Sequence, residues 1–229
     1  MFYALIDDNK DLDIGISLIQ RPNIPVPERQ YREIPREGAS NVYEDLGYYS
    51  DIEIPLEYNF VSDDYMNAFR KIKRFFKKGK ILRFSDDLGG FYKIKKMVIQ
   101  NNTREIIEFG KFTVLVICDS YFYLDEGQES IELYKGIRLE NIYEESFPIF
   151  KIYGNGAVNL KVNDKYFKVN VGQEVIIDSQ LELCYRESGV ISNASVKGKY
   201  KDLKLKEGVN TITWNSDVRI ELIPNWRCL

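Results

Sequence analysis

From Ile52 to Phe60 every second residue is apolar: Ile52, Ile54, Leu56, Tyr58 and Phe60 alternate with Glu53, Pro55, Glu57 and Asn59. A period of two places the apolar set on one side of a pleated strand, so this stretch must belong to a sheet with one buried face. The wider segment NVYEDLGYYSDIEIPLEYNFVSDD, residues 41–64, reads as one half-buried strand that stops at a helix-capping signal. Pro55 has no N–H for the ladder, which predicts a strand edge or bulge with a partner on one side only. Just upstream, Arg21 to Gly38 carries four of the seven prolines, Pro22, Pro25, Pro27 and Pro35. So many missing donors forbid a central strand or a helix, and an extended arm or edge hairpin is expected.

One helix is predicted. Ser62 or Asp63 caps it, it runs to about Lys78, and Gly79 stands where a C′ glycine belongs. Tyr65, Phe69, Ile72 and Phe76 form a single apolar stripe, while Arg70, Lys71, Lys73, Arg74, Lys77 and Lys78 fall largely on the other faces. Around the helix, Phe2 to Ile6 and Ile14 to Ile19 read as the start of a hairpin across the turn Asp7 to Asp13. Ile81 to Phe84, Tyr92 to Ile99, Thr103 to Phe109 and Lys111 to Cys118 read as further strands. Asp86-Asp87 with Gly89-Gly90, Asn101-Asn102 and Gly110 supply turns between them.

After a less regular stretch, Tyr121 to Ser146, the units shorten: Ile149 to Tyr153, Ala157 to Val162, Tyr166 to Val171, Glu174 to Ile177, Leu181 to Tyr185, Val209 to Trp214 and Val218 to Ile223. Turn residues recur between them at near-regular intervals, the pattern of an all-β sandwich. Pro148 and the pair Glu144-Glu145 interrupt both patterns, which sets a boundary near Glu145. The prediction is therefore a mostly β chain: an α+β first domain, 1–145, with one helix and an extended arm, and a β-sandwich over 146–222. A chain of 229 residues with 44% hydrophobic and 14% aromatic residues can bury two such cores.

Histidine is absent, which removes Ser/His/Asp and Cys/His machinery and the usual zinc ligand sets. No phosphate-cradling glycine motif or HExxH occurs. Carboxylate pairs remain, Asp7-Asp8, Asp63-Asp64, Asp86-Asp87 and Glu144-Glu145, and glycoside hydrolysis asks for two carboxyls about 5 to 10 Å apart. Each pair also fits a turn, a cap or a linker, and that reading is preferred. Asp7 to Asp13 lacks the glycine and glutamate of a calcium loop. No catalytic residue, cofactor or metal is expected. Cys118, Cys184 and Cys228 lie too far apart for a CxxC pair and read as reduced, buried thiols. The run RKIKRFFKKGK suggests anionic surfaces, but its apolar residues are needed to seat the helix and net charge is only −3, so no specific nucleic-acid binding is expected. With no long apolar run and no secretory signal, neither membrane insertion nor export is expected.

The order of segments resembles the distal tail proteins, or Dit, of long-tailed siphophages. The carrying stretches are IQRPNIPVPERQYREIPREGASNVYEDLGYYSDIEIPLEYNF, the helix leading into GKILRFSDDLGGFYKIKKM, then FPIFKIYGNGAVNLKVNDKYFKV, VIIDSQLELCY, LKLKEGVNTITW and IPNWR. The resemblance implies a non-enzymatic virion protein assembled in the bacterial host cytoplasm and located at the tail tip. It implies a homo-hexameric ring whose first domain stacks on the tail tube protein around a channel. The second domain would be a galectin-like β-sandwich, with residues 223–229 returning to the first. Partners would be the tail tube protein, the tail-associated tip protein and receptor-binding or baseplate proteins. Ring contacts are then expected from Pro22, Pro25, Pro27, Tyr31, Pro35, Tyr43, Tyr48, Tyr49 and Pro55. The alternative is a carbohydrate-binding module acting through its sandwich, with Tyr153, Tyr166, Tyr185, Tyr200 and Trp214 as candidate stacking aromatics. Core packing by these rings is the preferred reading.

Overall fold

The computed structural model describes residues 2–104 and 109–229, the side chains of 101–104 excepted, and the chain is mostly β with a single α-helix among these residues. It divides into two compact units, residues 1–122 with Leu229, and residues 123–228.

The first unit contains β1 (Ala4–Ile6), β2 (Asn9–Lys10), β3 (Ile16–Leu18), β4 (Arg29–Ile34), β5 (Val42–Tyr49), β6 (Ile52–Val61), α1 (Tyr65–Phe75), β7 (Ile81–Phe84), β8 (Asp87–Arg104) and most of β9 (Phe109–Leu124). Its sheet runs β2-β1-β7-β8-β9-β6-β3, and β4 and β5 form a separate two-stranded sheet. Phe2 to Ile6 and Ile14 to Ile19 do not pair with each other as expected: β1 pairs with β2 and β7, whereas β3 pairs with β6. Local turn chemistry suggested a simple hairpin, but the short 3-10 turn Asp11–Ile14 carries the chain to the far edge of the sheet.

The alternation of β6 sets its burial, with Ile52, Ile54, Leu56, Tyr58 and Phe60 all inside. β6 pairs along its whole length with β9 and also, at Tyr58 to Phe60, with β3. The expectation of one partner thus fails for the strand but holds at Pro55, which lies opposite Leu115 and before the β3 ladder begins. Expected strands at Tyr92 to Ile99 and Thr103 onward belong to the single strand β8, which also takes in Asn101-Asn102; residues 105–108 lie outside the described residues.

The helix is capped by Asp64, whose carboxylate accepts the Asn67 N–H, rather than by Ser62 or Asp63. Gly79 matters for another reason than a C′ turn. A Cβ there would stand 2.3 Å from Ile6 Cγ2, so close packing of α1's exit on β1 excludes a side chain. The stripe Tyr65, Ile72 and Phe76 is buried with Phe69 half-buried, and the six basic residues are exposed, as amphipathicity requires. Phe112 of β9 is the centre of this core. Its ring lies 5.4 Å from Tyr58, 6.0 Å from Phe60, 6.1 Å from Phe69 and 6.3 Å from Phe76.

One acid is inside. Asp11 is fully buried and accepts the Ala4 N–H at 3.0 Å and the Leu12 N–H at 2.7 Å, with the buried Tyr58 hydroxyl nearby but outside hydrogen-bonding geometry. Burial holds the Asp11 carboxyl above its ordinary value, against the pull of those N–H groups. A raised folded-state value means that the folded chain takes up the proton more readily than the unfolded one. The stability Asp11 contributes is therefore full below the unfolded carboxylate range, about pH 4, and lost as pH rises through the folded value. Asp11→Asn removes this dependence, so its stability relative to wild type should shift in the variant's favour between about pH 4 and pH 7. Thermal melts across that range check the sign, and a shift toward wild type contradicts it.

The second unit holds β10 (Ile131–Leu133), β11 (Ile137–Asn141), β12 (Ile149–Val162), β13 (Lys165–Asp178), β14 (Leu183–Tyr185), β15 (Val196–Lys197), β16 (Gly208–Trp214), β17 (Arg219–Ile223) and β18 (Arg227–Cys228). β12 and β13 form one long hairpin around the turn Asn163-Asp164, with Asn163 at φ 54. Both strands bend midway, where Gly154 (φ 148), Gly156 (φ 102) and Gln173 (φ 76) stand. Before the bend β12 pairs with β17, and at its far end with β16. Each long strand thus serves two sheet layers, and Phe150, Ile152, Leu160, Phe167, Val169 and Ile177 meet in one core between them. The result is sandwich-like.

The boundary falls at 122/123 rather than 145/146. β10 pairs with β17 and β11 with β16, which assigns 131–141 to the second unit, a long-range pairing that composition could not reveal. Of the closing residues 223–229, only Leu229 groups with the first unit. Cys118 and Cys184 are buried, which pushes their thiols up to about 12 and about 11, while Cys228 is only half-buried.

Candidate functional site

In the first unit the most distinctive surface is the hairpin of β4 and β5. The segment 41–64, read as one strand, is two strands: β5 pairs back on β4, and β6 begins only after Ser50-Asp51. Arg29 faces Tyr49, Tyr31 faces Asp45 and Ile34 faces Val42, with a register shift between Arg29 and Tyr31. The extra residues on β5 include Gly47 at φ 79, a backbone conformation that favours glycine.

The root of the hairpin is fixed. The Ser50 N–H donates to Glu28 O at 2.9 Å and the Glu28 N–H to Ser50 Oγ at 3.1 Å. The Arg29 guanidinium grips Asp45 through Nε at 3.0 Å and Nη2 at 2.9 Å, and lies 4.9 Å from the Tyr49 ring centroid. Each charge holds the other ionised: Asp45 keeps Arg29 protonated above its usual range, and Arg29 with the Gly47 N–H holds the Asp45 carboxyl low. Beyond this root every residue from Tyr31 to Asp45 is exposed. Tyr31, Ile34, Val42, Tyr43 and Tyr48 stay exposed although apolar, Tyr43 at 64%. A lone two-stranded hairpin is marginal in water, and exposed tyrosines on both strands are what a partner's surface would cover.

The residues expected at a ring contact separate into three places. Tyr31, Pro35, Tyr43, Tyr48 and Tyr49 lie on the hairpin or its tip. Pro22, Pro25 and Pro27 precede it in an irregular lead, where Pro22 and Pro27 are buried within the unit and only Pro25 is exposed. The two buried prolines offer no free surface. Pro55 is exposed within the main sheet. The proline cluster therefore marks the approach to the arm more than the arm. Cross-strand charges, Arg29 with Asp45 and Arg32 with Glu44 at 3.6 Å, were the signal that the strands pair.

In the second unit two of the candidate aromatics, Tyr166 and Trp214, line one open groove, and the other three do not line it. Tyr153 packs under Arg219 at 4.5 Å, Tyr200 lies 5.2 Å from Phe167, and Tyr185 is half-buried on β14. Trp214 is in the core at 7% exposure, its indole N–H buried without a partner. Tyr166 alone is open, at 60%. Among the described residues no group of acidic or cysteine side chains could hold a metal ion, and no helix is long and apolar enough to cross a membrane.

No protein-family model and no curated protein matches this chain. Among solved structures it is similar to the Dit protein (gp 19.1) of SPP1, described as a paradigm of hub adsorption apparatus in Gram-positive infecting phages. The TM-score is 0.70 over 100% of both chains, at 13% sequence identity. The fold is thus Dit-like.

Proposed function

We propose that this chain is a structural tail-hub protein, the distal tail protein of a long-tailed phage. It assembles in the bacterial host cytoplasm as a homo-hexameric ring and resides at the virion tail tip. The ring joins the tail tube protein to the tail-associated tip protein, and receptor-binding or baseplate proteins dock around it. It catalyses nothing. The observation that carries this reading is the fold correspondence with a phage hub protein along the full length of both chains.

The arm supports the same reading from physics. A cyclic ring needs heterologous contacts, one patch meeting a different patch on the next copy, and a hairpin with a fixed root and an exposed apolar tip supplies one half of such a contact. In the first unit Tyr31, Pro35, Tyr43, Tyr48 and Tyr49 contribute to it, with Pro25 and Pro55 at its margins. Negative-stain electron microscopy of the purified chain, alone and mixed with the tail tube protein, should show six-fold rings. Particles of single-chain size under both conditions contradict the proposal.

A further inference from the structure

The outer face of β13, β12 and β16 gathers polar side chains that the core does not need. The ladder sets Tyr166 opposite Lys161, Lys168 opposite Asn159, and Thr213 opposite Lys161 from the other side. Lys168 also faces Lys197 of β15. Asn159, Lys161, Tyr166, Lys168, Thr213, Trp214 and Asn215 line an open groove that no carboxylate lines, and Lys197 stands beside it on β15. Asn215 is fixed in place, its Oδ1 accepting the Asn159 N–H at 2.9 Å and the Ser216 hydroxyl at 3.0 Å.

The charge is unanswered. Lys161, Lys168 and Lys197 form no ion pair among the described residues, although the chain as a whole is acidic. The Lys161 ammonium lies 5.2 Å from the Tyr166 ring centroid, so aromatic surface and positive charge sit together. An exposed ring can cover the C–H face of a pyranose, while amides and a threonine hydroxyl meet its hydroxyl groups. Such a floor alone describes a site for a neutral sugar. Ammonium groups without counter-charges add a demand for an anion, since each forms charge-assisted hydrogen bonds to phosphate or carboxylate oxygens.

We infer that this groove binds an anionic carbohydrate, a saccharide chain carrying phosphate or carboxylate groups. Tyr166 stacks on a sugar ring, Lys161 and Lys168 hold the anionic groups, Asn159, Thr213 and Asn215 contact hydroxyls, and Lys197 extends the cationic margin. The groove lies wholly in the second unit, so this inference is independent of the hub reading.

Calorimetry on the full chain tests it with four probes: pentamannose 6-phosphate, tetragalacturonic acid, neutral maltopentaose and poly-glutamate. One or both anionic saccharides should bind with Kd of about 10 to 100 µM, and which one binds identifies the anionic group. Maltopentaose and poly-glutamate should bind at least about tenfold more weakly. Tyr166→Ala and the double variant Lys161→Ala/Lys168→Ala should each weaken binding about tenfold or more, with thermal midpoints unchanged because these side chains lie outside the core. Raising salt to about 0.5 M should weaken the interaction as well. Three results overturn the inference: no binding of either anionic saccharide at about 1 mM, affinity for poly-glutamate or maltopentaose equal to theirs, or undiminished affinity in both variants.

Discussion

Replacing Gln30–Tyr48 by an Asn-Gly turn should leave a folded chain that no longer forms rings. Arg29 and Tyr49 are direct cross-strand partners, so a two-residue connection suits the gap left between them. Nothing in the removed stretch belongs to the core cluster of the first unit. Loss of exposed residues should change stability by no more than about 0.5 kcal/mol. Assembly is a different matter. Five exposed apolar side chains, Tyr31, Ile34, Val42, Tyr43 and Tyr48, go at once. Buried aromatic anchors at interfaces commonly cost about 2 kcal/mol or more apiece when truncated. Size-exclusion chromatography with light scattering at micromolar concentration should find the deletion variant at the mass of one chain, with a cooperative thermal unfolding transition retained. Rings that persist in the variant would remove the arm from the account.

The other large effect concerns stability. Phe112→Ala empties the centre of the first unit's aromatic cluster, where Tyr58, Phe60, Phe69 and Phe76 all face the vacated ring. The loss combines transfer of a large buried ring with a cavity that neighbours on one β-sheet and one helix cannot collapse to fill. A cost of about 3 to 5 kcal/mol is expected, a large share of the stability of a typical domain. Val61→Ala is the control: Val61 is 70% exposed on the adjacent strand, and its truncation should cost under about 0.5 kcal/mol. Urea unfolding of both variants checks this, and a Phe112→Ala loss below about 1 kcal/mol would show that the cluster is not the centre of the core.

Features controlled by nearby residues were readable from the chain. Ile81–Phe84 is a strand with its expected limits, a turn at Asn163-Asp164 separates the stretches Ala157 to Val162 and Tyr166 to Val171 as their spacing requires, and the stripe Tyr65, Phe69, Ile72 and Phe76 seats the helix. Where a feature depended on distant partners, local pattern misled in specific ways. Ile149 to Tyr153 and Ala157 to Val162 look like separate strands because Gly154 and Gly156 interrupt them, yet they are two arms of one bent strand. The local reading recovered the two layers and missed the continuity between them. The half-buried strand read across residues 41–64 does not hold over Val42–Tyr49, because neither face of that exposed hairpin strand is buried. Of the prolines that precede the hairpin, Pro22 and Pro27 are buried inside the unit. In the second unit, aromatic identity alone could not separate the open Tyr166 from the buried Trp214; strand register did.

A cryo-electron microscopy reconstruction of the ring tests the central claim most directly, because it locates the hairpin Arg29–Tyr49 in the assembled state. The account predicts that Tyr31, Tyr43 and Tyr48 lose most of their exposure against the adjacent copy. A closed ring in which those three side chains remain in solvent would contradict it.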